Sequence, residues 1–257
     1  MRASNRFTTS GLTAGIDWRA MEDLIVGAAV GYGADRTQVG SNGTRSTANS
    51  VSAMLYASFK PFDPWFIDAA IGYGKLDYDN RRWVAANFAT VGGSRNGGYW
   101  FGAISSGFEI KYDAMRLTPY VRADFMSAQL DAYSERGPSA ELLTYKSMEF
   151  RTLAGTLGLR GSYDIPMGWG TLTPMARVEY RHAFDGSFQQ SMYYTDLGPS
   201  MTSTLSQASA ARGAVTTSLG LRARALNGLS AELEYGTQNA SGRAQSQTVR
   251  AGLKMAF

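Results

Sequence analysis

The chemistry-bearing side chains of this chain recur at alternate positions along the sequence. Glu109 and Lys111, Arg122 and Asp124, Arg177 and Glu179, Glu232 and Glu234, and Arg250 and Lys254 are each separated by an even number of residues, and Arg160 and Arg222 sit singly in similar surroundings. On a strand, such spacing puts the members of each pair on one face. A face that mixes arginine with carboxylate can hold water, pair across strands or offer charge to a bound segment. Catalysis asks for more: a base beside an acid or an activated hydroxyl. The chain has one histidine, His182, and no cysteine. Thiol nucleophiles, disulfides and Cys-ligated metals are therefore ruled out together. No Walker-type loop, zinc-ligand spacing or dinucleotide fingerprint occurs. No enzyme activity, cofactor or metal is expected, and nothing marks Asp124 or Glu179 as proteolytic.

The elements that must position these residues show period two throughout. Leu229, Ala231, Leu233 and Tyr235 oppose Ser230, Glu232 and Glu234, and Leu172, Pro174, Ala176, Val178 and Tyr180 oppose Thr173, Met175, Arg177 and Glu179. Similar segments at 7–20, 24–36, 46–60, 65–77, 98–112, 115–131, 149–164, 215–225 and 249–257 bring the expectation to about eleven strands, many of the length a tilted strand needs to cross a bilayer. No helical period is evident, and no apolar run reaches the roughly 18 to 20 residues of a transmembrane helix. Glycines such as Gly27, Gly72, Gly74 and Gly158 fall among the polar-face positions, where they leave room for larger neighbours. Ala28–Gly33 recurs as Ala69–Gly74, a sign of a hairpin array.

Connections alternate in length. Short ones are expected near Ala20–Asp23, Pro61–Pro64, Asp113–Ala114, Ile165–Gly170 and Leu226–Gly228, and longer ones near 37–45, 78–97, 132–148, 186–212 and 239–245. Such sidedness is that of an outer-membrane barrel with short periplasmic turns. A soluble barrel would also alternate. Three features favour the membrane form: the strands are long and many, the apolar face repeatedly ends in Trp or Tyr, as at Trp18, Tyr32, Trp65, Tyr73, Trp100, Tyr112, Tyr163, Tyr180 and Tyr235, and the polar face mixes charges of both signs. The polar face then lines a wet lumen. Its expected lining residues are Glu109, Arg122, Asp124, Arg160, Arg177, Glu179, Arg222 and Glu232. By the same alternation His182 faces lipid. The net charge of +4 is spread among apolar and acidic neighbours. Nucleic acid is therefore not an expected partner, whereas outer-membrane lipid and lipopolysaccharide are.

The chain ends Arg250-Ala-Gly252-Leu-Lys-Met255-Ala-Phe257. This resembles the C-terminal signal of bacterial outer-membrane proteins and implies the barrel-assembly machinery as a partner, with Arg250, Gly252, Met255 and Phe257 as its elements. From about Phe7 to Phe257 the chain resembles the translocator domain of autotransporters, the type V secretion proteins. The resemblance rests on Gly11–Trp18 followed by Leu24–Tyr32, on Leu172–Phe184, and on Leu229–Tyr235 before the terminal strand. It implies an all-β, antiparallel up-and-down transmembrane barrel of twelve strands, threaded by a helix that joins it to an N-terminal passenger delivered to the cell surface. Residues 1–257 are thus expected to form one domain, a monomer showing about eleven of twelve strands. The first strand, lumen helix and passenger are expected upstream, and the polar start of the chain, without an apolar leader segment, fits a longer precursor. The alternatives are a porin-like channel and, behind it, an outer-membrane barrel hydrolase.

Overall fold

A strand that alternates apolar and polar residues must give its two faces to different media, and the computed structural model of the chain does so in eleven successive long strands. It describes residues 5–185, 188–207, 212–240 and 245–255. The strands are β1 (Asn5–Arg19), β2 (Leu24–Val39), β3 (Thr44–Phe62), β4 (Trp65–Val84), β5 (Ala89–Phe108), β6 (Met115–Leu130), β7 (Met148–Tyr163), β8 (Gly170–Ala183), β9 (Gly213–Ala225), β10 (Leu229–Ala240) and β11 (Gln245–Met255). Each pairs antiparallel with the next in chain order. Two short strands, Ile110–Tyr112 and Ile165–Met167, prolong the hairpins at the short-turn end. The sheet curls until Lys254 Nζ on β11 lies 2.6 Å from Asp17 Oδ2 on β1. Among the described residues, the outer backbone edges of β1 and β11 remain unpaired.

Which face is greasy decides the medium. Leu157, Leu219 and Leu233 keep 63%, 64% and 56% of their surface exposed, as do many other apolar residues of their parity. Together they form an apolar exterior far larger than the patches a water-soluble monomer tolerates. The buried apolar residues are mostly small, among them Ala29, Ala48 and Ala154. Aromatic residues bound the exterior at two levels. Trp18, Trp65, Tyr112 and Tyr163 lie near the short turns, and Tyr32, Tyr73, Trp100 and Tyr180 lie farther along the strands. Trp65 and Tyr73 are eight residues apart on β4, about 27 Å along a strand, and tilt brings this close to the height of the apolar band. Among the described residues no helix is long and apolar enough to cross a membrane.

Two expectations about loops need correction. Residues 78–97 do not form a long loop: β4 and β5 run on for 20 residues each and meet in a four-residue turn at 85–88. Beyond the bilayer neither face of this hairpin meets lipid, so Asp77–Arg82 lose the apolar half of the alternation without leaving the strand. The segments 132–148 and 186–212 are also partly structured. Tyr133–Ser134, Leu143–Tyr145, Phe188–Tyr194 and Ser203–Gln207 make a second, four-stranded sheet at the long-loop end. It is fastened to the extended β4–β5 hairpin by Arg82, which grips the buried Glu135 carboxylate at 2.6 and 2.9 Å. Arg95 adds a hydrogen bond to Gln190 Oε1 at 3.0 Å and a stack on the Tyr133 ring. Tyr133 and Tyr145 stack with ring centres 4.7 Å apart, and burial pushes the Tyr133 phenol well above its ordinary value.

Candidate functional site: the charged lumen wall

The site begins with a glycine. Gly158 on β7 faces Tyr120 of β6 on one side and Glu179 of β8 on the other. A Cβ there would overlap the Tyr120 ring, so only glycine lets that ring lie across β7. The Tyr120 hydroxyl then donates a hydrogen bond to Glu179. Arg122, two residues on and on the same face, reaches Glu179 Oε1 at 3.3 Å and its neighbour Asp124 at 3.1 Å. Arg177 lies 3.8 Å from Glu179, donates to Ser218 Oγ at 3.3 Å and pairs with Glu234. Arg250 closes the series 3.6 Å from Glu234. The result is a ladder, Asp124–Arg122–Glu179–Arg177–Glu234–Arg250, that crosses the lumen face from β6 to β11.

Burial sets the weight of each rung. The Glu179 side chain is 8% exposed, and a carboxylate so enclosed costs several kcal/mol unless it is paired and hydrogen-bonded. Tyr120 and Arg122, with Arg177 beside them, meet that need. Arg222 and Glu232 form a separate pair at 2.8 Å, directly opposite each other in the β9–β10 register. Glu109 does not join the ladder. It sits at the short-turn mouth, 3.3 Å from Lys60, 3.2 Å from Arg116 and 3.5 Å from Lys111. Arg160 has no carboxylate partner among the described residues. Its guanidinium stacks over the Tyr120 ring at 5.7 Å and is otherwise exposed to the lumen.

The expected lumen residues thus fall into one ladder, one isolated pair, one mouth cluster and one free arginine. Of the expected assembly signal, Arg250 faces the lumen, Gly252 has open space where a Cβ would lie, and Met255 points outward; Phe257 lies outside the described residues. His182 is on the outer face against Phe184, ring centres 5.3 Å apart. Sequence reasoning did not single out Tyr120, the ladder's first donor. Its signal was its parity with Arg122 and Asp124. Glu234 carried the same signal beside Glu232.

The autotransporter β-domain family model matches residues 2–236. Esterase EstA of Pseudomonas aeruginosa is 31% identical over 180 residues, which cover 66% of this chain and 26% of that protein. Outer membrane protein A of Rickettsia conorii is 27% identical, covering 67% and 9% respectively. The chain therefore spans about a quarter of the first relative's length and under a tenth of the second's. Among solved structures, the translocator domain of the autotransporter NalP from Neisseria meningitidis superposes with a TM-score of 0.81 at 19% identity, covering 98% of this chain and 82% of that one. The β domain of the Bordetella autotransporter BrkA gives 0.70 at 17% identity, covering 99% and 92%. These likenesses carry the fold. With the family model spanning nearly the whole sequence, the chain belongs to the autotransporter β-domain family and is a translocator barrel of the bacterial outer membrane.

Proposed function

We propose that this barrel anchors an attached passenger in the outer membrane and serves as its path to the cell surface, with the charged lumen wall holding the segment that joins the two. One observation carries the reading: arginines and carboxylates are gathered on the lumen face in a paired ladder from β6 to β11. Such a lining keeps the path wet and supplies donors and acceptors to a polypeptide in transit. One further strand between the free edges of β1 and β11 would satisfy their open backbone groups, which lipid cannot do. This reading includes that strand, the barrel-assembly machinery and lipopolysaccharide as partners, and a monomeric state.

The activity named in the Pseudomonas relative belongs to a protein of which this chain matches 26%. Here the single histidine faces outward, away from the lumen carboxylates. In our reading the barrel turns over no substrate. The test is surface delivery. An epitope fused ahead of the barrel and expressed behind a secretion signal should become accessible to antibody and external protease on intact cells. Retention of the epitope in the periplasm beside a correctly inserted barrel would overturn the proposal, and a steady open conductance from the passenger-bearing protein would favour a porin.

A further inference from the structure

The outer wall of the barrel is uneven in two ways, and both fall on β1–β4. In the apolar band, two shallow grooves of about 700 and 630 Å³ share Ile16, Ala28, Leu55 and Ile71, and the upper one is bounded by Tyr73 and Trp100. They form one trough, because the strand register sets the short Ala28 between the longer Ile16 and Leu55. Beyond the upper aromatic level the same strands turn basic. Arg6, Arg36 and Arg45 share the outward parity of Leu12, Tyr32 and Val51, and Lys75 follows Tyr73 by two residues. Gln38 stands directly between Arg6 and Arg45 in register, two residues beyond Arg36. Arg36 is therefore the diagonal neighbour of both, about 7–8 Å away. None of these four cations has an ion pair or hydrogen bond among the described residues. Of the two carboxylates on that face, Asp79 is taken by Arg81 at 3.8 Å, which leaves Asp77. On the far arc, the same zone of strands β6–β11 carries Glu149 and Arg151, which pair with each other.

We propose that this trough and the cations above it form a binding site for one lipopolysaccharide molecule of the outer leaflet. An acyl chain lies along Ala28, and anionic groups of the sugar head bind Lys75 and the Arg6–Arg36–Arg45 triangle. The site rests on the reading of lipopolysaccharide as a partner and gives that partner a place. Three neighbouring guanidiniums without a carboxylate repel one another. A phosphate between them reverses the sign of that interaction and accepts paired hydrogen bonds from their planar forks. Height selects the ligand. Lys75 is two residues beyond Tyr73 and Arg36 is four beyond Tyr32, about 7 and 14 Å along their strands. A glycerophospholipid holds its phosphate at one level, next to its acyl chains. A glycolipid with anionic groups on a stack of sugars presents charge at both. The Tyr73 and Trp100 rings, 5.1 Å apart, wall the trough where chain gives way to head.

The test uses the folded barrel in detergent micelles, titrated with a bisphosphorylated rough-type lipopolysaccharide, with the same molecule after removal of its phosphates, and with phosphatidylglycerol. The rise in unfolding temperature reads binding. The phosphorylated glycolipid should bind on the order of tenfold tighter than either of the others, and the difference should narrow as salt is added. R36Q/R45Q should lose most of that preference, whereas Arg151→Gln on the far arc should keep it. Lys75→Gln, on another strand, should lose part of it and decides the matter if the double variant does not fold. Ala28→Phe should weaken both glycolipids alike, because it fills the trough and leaves the head-group contacts. Equal binding of the phosphorylated and dephosphorylated forms, or a preference that survives R36Q/R45Q, would overturn the site. Phosphatidylglycerol binding as tightly as the phosphorylated glycolipid would overturn it too. Those results would leave surface delivery standing, and an epitope retained in the periplasm beside normal lipid binding would overturn delivery alone.

Discussion

The two arcs of the lumen wall are filled by different means. Along β2–β5, inward rings lie over glycines of the neighbouring strand: Tyr56 over Gly27, Phe101 over Gly72 and Tyr99 over Gly74, each pair directly opposite in register. Along β6–β11, arginines and carboxylates do the filling. Gly158 is where the two devices meet, since the ring it admits belongs to Tyr120 and ends in the ladder. The first arc depends on shape, and its strength is little changed by salt. The second depends on charge, and each rung is worth as much as its burial allows. A segment passing between them meets a smooth, rigid surface on one side and a polar, orienting one on the other.

Four substitutions would break or sharpen this contrast. Glu179→Ala should cost the most, about 3–5 kcal/mol, because it leaves the buried Tyr120 hydroxyl without its acceptor and the ladder with one arginine more than its carboxylates; urea unfolding of the barrel in detergent micelles reads it, and a loss below 1 kcal/mol would mean that lumen water solvates the ladder as well as Glu179 does. Leu233→Arg places the same charge chemistry on the lipid side and should cost about 2–4 kcal/mol at mid-bilayer. A neutral outcome in lipid vesicles would show that this face meets water. Gly72→Val tests the shape-filled arc. Its Cβ would press on the Phe101 ring and lie 2.7 Å from the Ala53 carbonyl oxygen, and overpacking of this kind costs about 1–3 kcal/mol. This loss should persist in high salt, whereas that of Glu179→Ala should shrink. Arg151→Ala removes an exposed pair with Glu149 and should change stability by less than about 1 kcal/mol, which sets the floor for the other three.

How much of this was legible follows from how local each feature is. The alternation of Leu229–Tyr235 fixes both faces of β10 without help from the rest of the chain, and eleven such segments give the sheet. The Arg222–Glu232 pair is nearly as local, because a tight turn at Leu226–Gly228 joins two strands of known parity. Arg122 and Glu179 are different. They belong to strands separated by β7, and their meeting depends on the stagger of three strands, which no single segment encodes. The upper halves of β4 and β5 resemble loop in the sequence because outside the bilayer the two faces no longer differ in polarity. The outer sheet was missed because its strands run from two to seven residues, too short for a period to declare itself.

The contact between Asp17 and Lys254 acts as a gauge. Stretched end to end, an aspartate and a lysine so joined span about 12 Å between their Cα atoms, and neighbouring strands in a sheet are about 4.8 Å apart. At the base of the seam that reach admits at most one intervening strand and excludes two. A single charged pair, accessible to ions and weakened as they accumulate, therefore marks an upper limit on how far the seam is open.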